Sequence, residues 1–527
     1  MVIAGIAAAA AGVLALQALL HGHYSAVDEY DDGVYFGASV ELLHGVFAYR
    51  NFAFIQPPMI TVWMLPFAAM SSVIGTASAM ETARFFVDLV TVTNVVLVGA
   101  LVRRRSTLQV MAGTGVMAFS QGTIRASQTI LLEAFLILAC LLAFLCLMDG
   151  EEITSSPRRL WWCGIFLGVA GATKVWAIFP LLAVLIVVRR SRSSPRPIVF
   201  GAFLGFVACC LPFIVGAPIA FFQQVVLTQA LRNGGGFPVP QRLADLSGIP
   251  GLGNVVASHP RVSLIVLSVL VVTGIGAFIA RRRPHPRNHW TPLERLAGWS
   301  TAIVGLGLLG APTYYYHYSG FMAPFVGLVA SSAVVALRAP LNRVLFRRSL
   351  LFPIVAASLA VPSAVALLLG ATAAEVVTLP VAPHVGDTVS DAIPSGGCVL
   401  YSNPTLALLD NRFTAYVSGC PRVIDWLGEE RVLDNGQSVS GSDTTNRHLQ
   451  EVLGRWIQSS DAVVLKEGNL GLDSANKNYL TRHFDRERHI PRGLRIYVRE
   501  PPHRPPDADH VTERPTADAA HLARTRT

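Results

Sequence analysis

The sequence predicts an α-helical polytopic membrane protein of about eleven transmembrane helices with a C-terminal extracytoplasmic α/β domain. Three observations predict it. Of 527 residues, 52% are hydrophobic and only 14% charged, with a mean hydropathy of +0.49; a water-soluble chain carries nearer a quarter charged, so the apolar excess needs lipid as a second solvent. The net charge of +9 sits in clusters, Arg103–Arg105, Arg189 to Arg196, Arg281–Arg283 with Arg287, and Arg338 to Arg348, each between long apolar runs. Basic residues placed this way mark loops that stay in the cytoplasm rather than a nucleic-acid patch. Finally, the chain beyond Gly370 turns polar for about 150 residues, the size of an ordinary domain.

A bilayer-spanning helix needs roughly 20 apolar residues. Val2 to Leu20 meets that measure, with no basic region before it and no small-residue cleavage site after it, so it reads as a retained span rather than a signal peptide. Met59 to Ile74 is short and carries Pro66. If it crossed, Arg103–Arg105 would face the wrong side, so it is expected to lie along the outer surface. Further spans are expected at Thr82–Val102, Leu108–Ser120, Leu132–Met148, Leu160–Ala172, Trp176–Val188, Pro197–Gly216, Val262–Ala280, Leu296–Ala311, Phe321–Leu337 and Leu350–Leu369. With a cytoplasmic N-terminus this odd number puts the C-terminus outside.

The chain thus divides into a multi-span membrane domain, 1–372, whose outer loop 21–75 carries the surface helix; an extracytoplasmic domain, 373–500; and a disordered Pro-, Arg- and Asp-rich tail, 501–527. In the outer domain strand-like runs (Cys398–Tyr401, Ala462–Leu465, Leu494–Val498) alternate with helix-like ones (Asn446–Ile457, Ser474–His483). Cys140, Cys146, Cys163, Cys209 and Cys210 fall in apolar segments as packed thiols, whereas Cys398 and Cys420 lie in the outer polar part, where a disulfide between them is plausible.

The densest polar cluster, Asp28-Glu-Tyr-Asp-Asp-Gly-Val-Tyr35, follows the first span. Four carboxylates in five positions repel one another, so they should share protons, pair with cations or bind a divalent metal. A charge run is ordinarily a solvated loop; here it is interleaved with Tyr and Phe and ends in Gln56-Pro-Pro-Met59. Tyr314-Tyr-Tyr-His317-Tyr318 reads first as an interfacial aromatic belt, and second as a platform on which sugar rings stack. Gly234-Gly-Gly236 lacks a following Lys and helix and reads as a flexible loop rather than a phosphate cradle.

The string Asp31-Asp32-x-x-Tyr35, Leu42-x-x-Gly45, Tyr49 and Gln56-Pro57-Pro58 resembles the first outer loop of C-type (GT-C) membrane glycosyltransferases, nearest the protein O-mannosyltransferase and lipid A aminoarabinose transferase branch. Ala83-Arg84-Phe85, Leu131-Leu-Glu133-Ala and Ala172-Thr-Lys174 are similar too, and the resemblance runs from Asp31 to Leu185. The sequence departs from that pattern in having Asp32 where Glu is usual, Gln56 where the aminoarabinose branch has lysine, and Glu133 where Asp is frequent. The resemblance implies transfer of a sugar from a polyprenyl-phosphate donor to a glycan, lipid or protein acceptor of the envelope, with inversion. It implies Asp31 as the base, with Asp32 and Glu133 as supporting carboxylates. Substrate contacts are expected from Tyr35, Gln56 and His317, and, by position on the outer side, from the cations Arg50, Arg125, Lys174 and Arg232. A divalent metal at the acidic loop is a further expectation; no nucleic acid is. The rival class is a transporter or flippase of a lipid-linked envelope precursor, although neither paired broken helices nor an internal repeat appear in the sequence.

Overall fold

The computed structural model describes residues 1–27, 29–191, 193–230, 235–249, 251–252, 258, 290–344, 351–378, 389, 393, 397–413, 420, 423–429, 443–466, 471–484, 486–490 and 494–499. Within these, the first span is the helix Val2–His21, closed by Gly22 in the left-handed conformation (φ 63°). Helices at Thr107–Phe119, Leu132–Leu147, Pro157–Thr173, Ile178–Val188, Arg196–Gly216, Pro292–Leu309, Ala323–Val344 and Leu351–Thr378 match expected spans to within a few residues at most ends. The last runs past 372, so the expected domain boundary falls inside a helix. The expected span Val262–Ala280, Arg232 and the tail 501–527 lie outside the described residues.

Met59–Val102 is continuous but for Gly75, whose φ of 81° and ψ of 161° break the helical ladder between the expected surface helix and the following span. Three helices, Val2–Leu20, Met59–Val102 and Arg196–Gly216, are long and apolar enough to cross a membrane, and shorter apolar helices accompany them. This is a membrane protein.

Two ends of the bundle can be told apart by their polar ties. At one end Arg105 grips Glu151 with two hydrogen bonds (2.7 and 2.8 Å) and reaches Ser332 (2.8 Å), while Thr291 donates to the same Glu151 (2.7 Å). Ile3 packs on Gly99 near this end. At the other end lie Asp32, Arg84, Thr129, Glu133 and Lys174, together with Thr372, which donates to the Phe119 carbonyl (2.7 Å). The closest helix pair joins Pro157–Thr173 to Arg196–Gly216 through facing small-residue motifs. A Cβ on Gly164, Gly168, Gly201 or Gly205 would come within 2.2–2.4 Å of a carbonyl oxygen of the partner helix.

The C-terminal sheet has the order Val399–Tyr401, Ala462–Lys466, Leu494–Val498, Arg486–Ile490; the first pair is parallel and the others antiparallel. Alternation sorts its side chains. Val399, Tyr401, Val464 and Ile496 face a core that Leu406 and Ala407 share, with Val27 of the outer loop against it. Leu400, Val463, Leu465 and Tyr497 face the helices Arg447–Gln458 and Ser474–His483. Leu408 and Ile424 belong instead to the core of the helix Asp31–Leu43, so this part of the chain is packed into the outer loop.

Candidate active site

The acidic loop forms the N-terminus of the helix Asp31–Leu43, where negative charge meets the positive end of the helix dipole. Successive residues on a helix point about 100° apart, and the two aspartates separate accordingly. Asp32 is fully buried. Its Oδ2 accepts from Arg84 Nη2 and Thr129 Oγ1, and its Oδ1 from the Gly33 amide (2.7 Å) and Thr405 Oγ1 (2.5 Å). Arg84, itself 1% exposed, also donates to the carbonyls of His23 (2.9 Å), Tyr24 (2.6 Å) and Ala26 (2.8 Å). Both carboxylate oxygens are therefore engaged in holding four segments together. Asp32 anchors the loop rather than standing beside Asp31 over a substrate, because cation pairing has relieved the expected repulsion between the two.

Asp31 keeps the other side, facing Tyr35, whose hydroxyl donates to its Oδ2 (3.4 Å). Burial, then the negative charges of Asp31 and Glu133, hold the Tyr35 hydroxyl well above the usual tyrosine range, so it stays a donor. Glu133 enters from the first turn of Leu132–Leu147, fully buried. Lys174 follows the helix Pro157–Thr173 in extended backbone (φ −153°), at the dipole end that favours a cation. Its Nζ donates to Glu133 Oε1 (2.6 Å) and lies 3.9 Å from the Trp176 ring centroid and 4.2 Å from that of Tyr318. Among the described residues, none hydrogen-bonds the buried Glu133 Oε2.

Tyr314, His317 and Tyr318 correct the aromatic-belt reading. They are 0%, 5% and 5% exposed: the 3-10 turn Tyr316–Met322 carries His317 and Tyr318 inward, and Tyr314 ends the short strand before it. Trp176 meets Tyr318 edge-on at 4.3 Å, and His317 stacks flat on Tyr315 at 5.9 Å. Beside Trp176 and Tyr318 opens a cavity of ≈ 290 Å³, walled chiefly by apolar side chains such as Val225, Val226 and Pro312, with Gln229 and Thr313 as polar points.

The other expected contacts are dispersed. Arg125 sits 5.7 Å from the Tyr316 ring and 4.0 Å from Asp245. Arg50 is exposed in the turn after Tyr49 (φ 67°), and Gln56 is buried, its carbonyl accepting from the Tyr49 hydroxyl (2.5 Å). Among the described residues no three His, Cys, Asp or Glu side chains converge, and Asp32 is committed to its donors. Asp28, another carboxylate of the acidic loop, lies outside the described residues. Cys398 is disulfide-bonded to Cys420 in the polar part of the chain, with Cα atoms 5.3 Å apart.

Sequence reasoning assigned no role to Trp176, Thr129 or Thr405. Arg84 stood within a quoted motif without a role, although a lone cation inside an apolar span is itself a signal.

A family model described as dolichyl-phosphate-mannose-protein mannosyltransferase matches residues 66–191, which include Arg84, Thr129, Glu133 and Lys174. Among solved structures, the fold is similar to ArnT from Cupriavidus metallidurans bound to undecaprenyl phosphate: 14% identity, TM-score 0.56, covering 93% of this chain and 96% of that one. ArnT from the same organism in the apo state gives 14% identity and a TM-score of 0.55, over 89% and 93% of the two chains. The apo oligosaccharyltransferase of Archaeoglobus fulgidus gives 12% identity and a TM-score of 0.50, over 95% of this chain and 74% of that one. No curated protein matches the sequence. At these identities the structural likeness concerns the fold. It is the fold of C-type membrane glycosyltransferases, the superfamily that the outer-loop motifs resemble.

Proposed function

We propose that this protein transfers a sugar from a polyprenyl-phosphate donor to an envelope glycan, lipid or protein on the outer face of the membrane, by direct inverting displacement. The observation that carries the reading is the convergence of four chain segments on one spot. Tyr35 interacts with Asp31, Glu133 and Tyr318, Glu133 with Lys174 and His317, and Lys174 lies against Trp176 and Tyr318, two walls of an apolar cavity. A lipid-linked phosphosugar needs such a mixture of apolar wall, buried cation and accessible base.

Asp31 accepts the proton of the acceptor hydroxyl as its oxygen attacks the anomeric carbon; the bond from that carbon to the phosphate oxygen breaks, and the lipid phosphate leaves with the electron pair. Lys174 receives that charge. Glu133 holds Lys174 charged and oriented in its aromatic cage. Phosphate departs without a proton donor, so one base suffices, unlike the carboxylate pair of a glycosidase. No step is drawn through a metal.

The outer-face assignment rests on the two ends of the bundle. Arg105 and the segment around Glu151 share one end, the acidic helix the other, and basic loops stay cytoplasmic. Gly248 accepts from the Gln121 amide at the acidic end, while Thr291 binds Glu151 at the basic end, so the chain changes ends between them. With the expected span at Val262–Ala280, which lies outside the described residues, the spans total eleven and the C-terminal domain is extracytoplasmic.

The test is turnover by purified protein in lipid nanodiscs supplied with polyprenyl-phosphate sugars and envelope acceptors. Asp31→Asn should fold normally and lower kcat about 10²- to 10⁴-fold, the usual contribution of a positioned base. Equal turnover by the two proteins removes Asp31 as base. Failure with every lipid-linked sugar, together with carrier movement across vesicles, gives the chain to the transporter class.

A further inference from the structure

The geometry points to Thr405, on the C-terminal side of the molecule, as a positioning residue for the acidic helix: its hydroxyl fixes the first turn of Asp31–Leu43 through Asp32 and thereby aims the Asp31 carboxylate. This rests on the proposed role of Asp31.

Thr405 Oγ1 is buried, donates to Asp32 Oδ1 (2.5 Å), lies 2.8 Å from the Glu29 carbonyl oxygen, and accepts from the Gly33 amide (3.1 Å). One hydroxyl thus touches residues on both sides of Asp31, two before it and one and two after it. Its own position is set by the short helix Pro404–Leu409, capped by Asn403, whose side chain accepts from the Thr405 amide (3.0 Å). Asn411, just beyond that helix, accepts from the Ala77 amide (3.0 Å) across the break at Gly75. Thr76 donates to the Leu408 carbonyl (2.6 Å). The one stretch Asn403–Asn411 therefore braces the acidic helix and the helix break after the surface segment.

The fit is close enough to constrain the sequence. A Cβ on Gly33 would stand 2.1 Å from the Thr405 amide nitrogen and 2.5 Å from its hydroxyl, so only glycine lets the two backbones approach. Arg84 and Thr129 hold Asp32 Oδ2 from the membrane side, and Thr405 and Gly33 hold Oδ1 from the other. With Thr405 removed, Oδ1 keeps its neighbouring amide, but the turn Glu29–Gly33 loses the hydroxyl that ties it to the helix Pro404–Leu409. Asp31, adjacent in the chain and only half-buried, has Tyr35 as its other guide. On this account the C-terminal domain forms part of the active site rather than only an acceptor-selecting appendage.

Full-length protein in nanodiscs is compared as wild type, Thr405→Val and Thr405→Ser, by two measurements. Hydrogen–deuterium exchange reads the amides of 31–35, and steady-state kinetics reads turnover with a polyprenyl-phosphate sugar. Loss of one hydrogen bond to a charged group should speed exchange in that turn and lower kcat about ten- to a hundred-fold with donor KM unchanged; serine restores both. Unchanged exchange in the valine variant overturns the proposal, as does faster exchange with kcat intact. Wild type that is inert with every donor, while exchange still rises in valine and recovers in serine, defeats the glycosyltransferase reading and leaves the brace standing.

Discussion

Two neighbouring aspartates, indistinguishable by composition, should behave in opposite ways when neutralised. Asp31→Asn removes an accessible carboxylate whose protein partner is Tyr35, so folding is retained and turnover is lost. Asp32→Asn leaves the Arg84 guanidinium buried without its counter-charge, a loss of about 3–5 kcal/mol for a desolvated pair broken on one side. We expect that variant to be recovered poorly from membranes and to melt far below wild type by thermal-shift fluorescence. A melting temperature equal to that of wild type would show that the pair is not structural. The sequence announced a cluster of carboxylates but not which of them meets a cation. Helix phase separates the side chains, and Arg84 lies 52 positions away. Thr405, 373 positions from Asp32, carries no local signal at all. By contrast Glu133 and Lys174 were legible because ionised groups at the mouth of an apolar span are costly and demand a reason.

At the scale of elements, hydropathy located the helices well, since lipid imposes one length on every crossing. What it could not show is how they pack. Within lipid, apolar length drives insertion but not pairing, and close approach depends on small residues whose spacing matters only once the partner is known. Gly164 and Gly168 read merely as weak points of a helix until Gly201 and Gly205 are seen opposite, backbone to backbone. Gly168→Val should therefore be severe. Its Cβ would fall 2.3 Å from the Ala202 oxygen, forcing the helices apart and moving Lys174, six residues on, away from Glu133. We expect loss of both thermal stability and turnover, whereas Gly216→Ala, where nothing lies within 4 Å, should leave both near wild type. Similar melting curves for the two variants would deny the contact. The aromatic run 314–318 failed as a belt for a related reason: tyrosine is at home both at an interface and in a polar-tipped core, and the turn Tyr316–Met322 decides between them.

Across the whole molecule the described residues 405–429 meet segment 30–53 through a row of polar ties. Tyr30 donates to Asp425 (3.0 Å), Thr405 to Asp32, and Glu429 Oε1 accepts from the Ala53 amide (3.1 Å). Alternation revealed three strands of its sheet, yet Arg486–Ile490 escaped because its charged residues suit an edge strand rather than an apolar run. Docking itself had no sequence signature, being made of single residues scattered over distant turns. Glu429 gives this interface a predicted response to pH. Burial raises its pKa above the usual 4.5, although the Ala53 amide opposes the shift. The folded protein then binds more protons than the unfolded chain between 4.5 and the raised value, so stability falls as pH climbs through that window and stays lower at neutrality. Glu429→Gln keeps the acceptor for Ala53 without the charge. It should melt higher than wild type at pH 7, and the gap should close as the pH is lowered toward 4.5. Differential scanning fluorimetry across that range reads the gap directly. If the variant melts lower at neutral pH and the difference shrinks on acidification, the ionised Glu429 carboxylate stabilises the interface and the raised pKa is refuted.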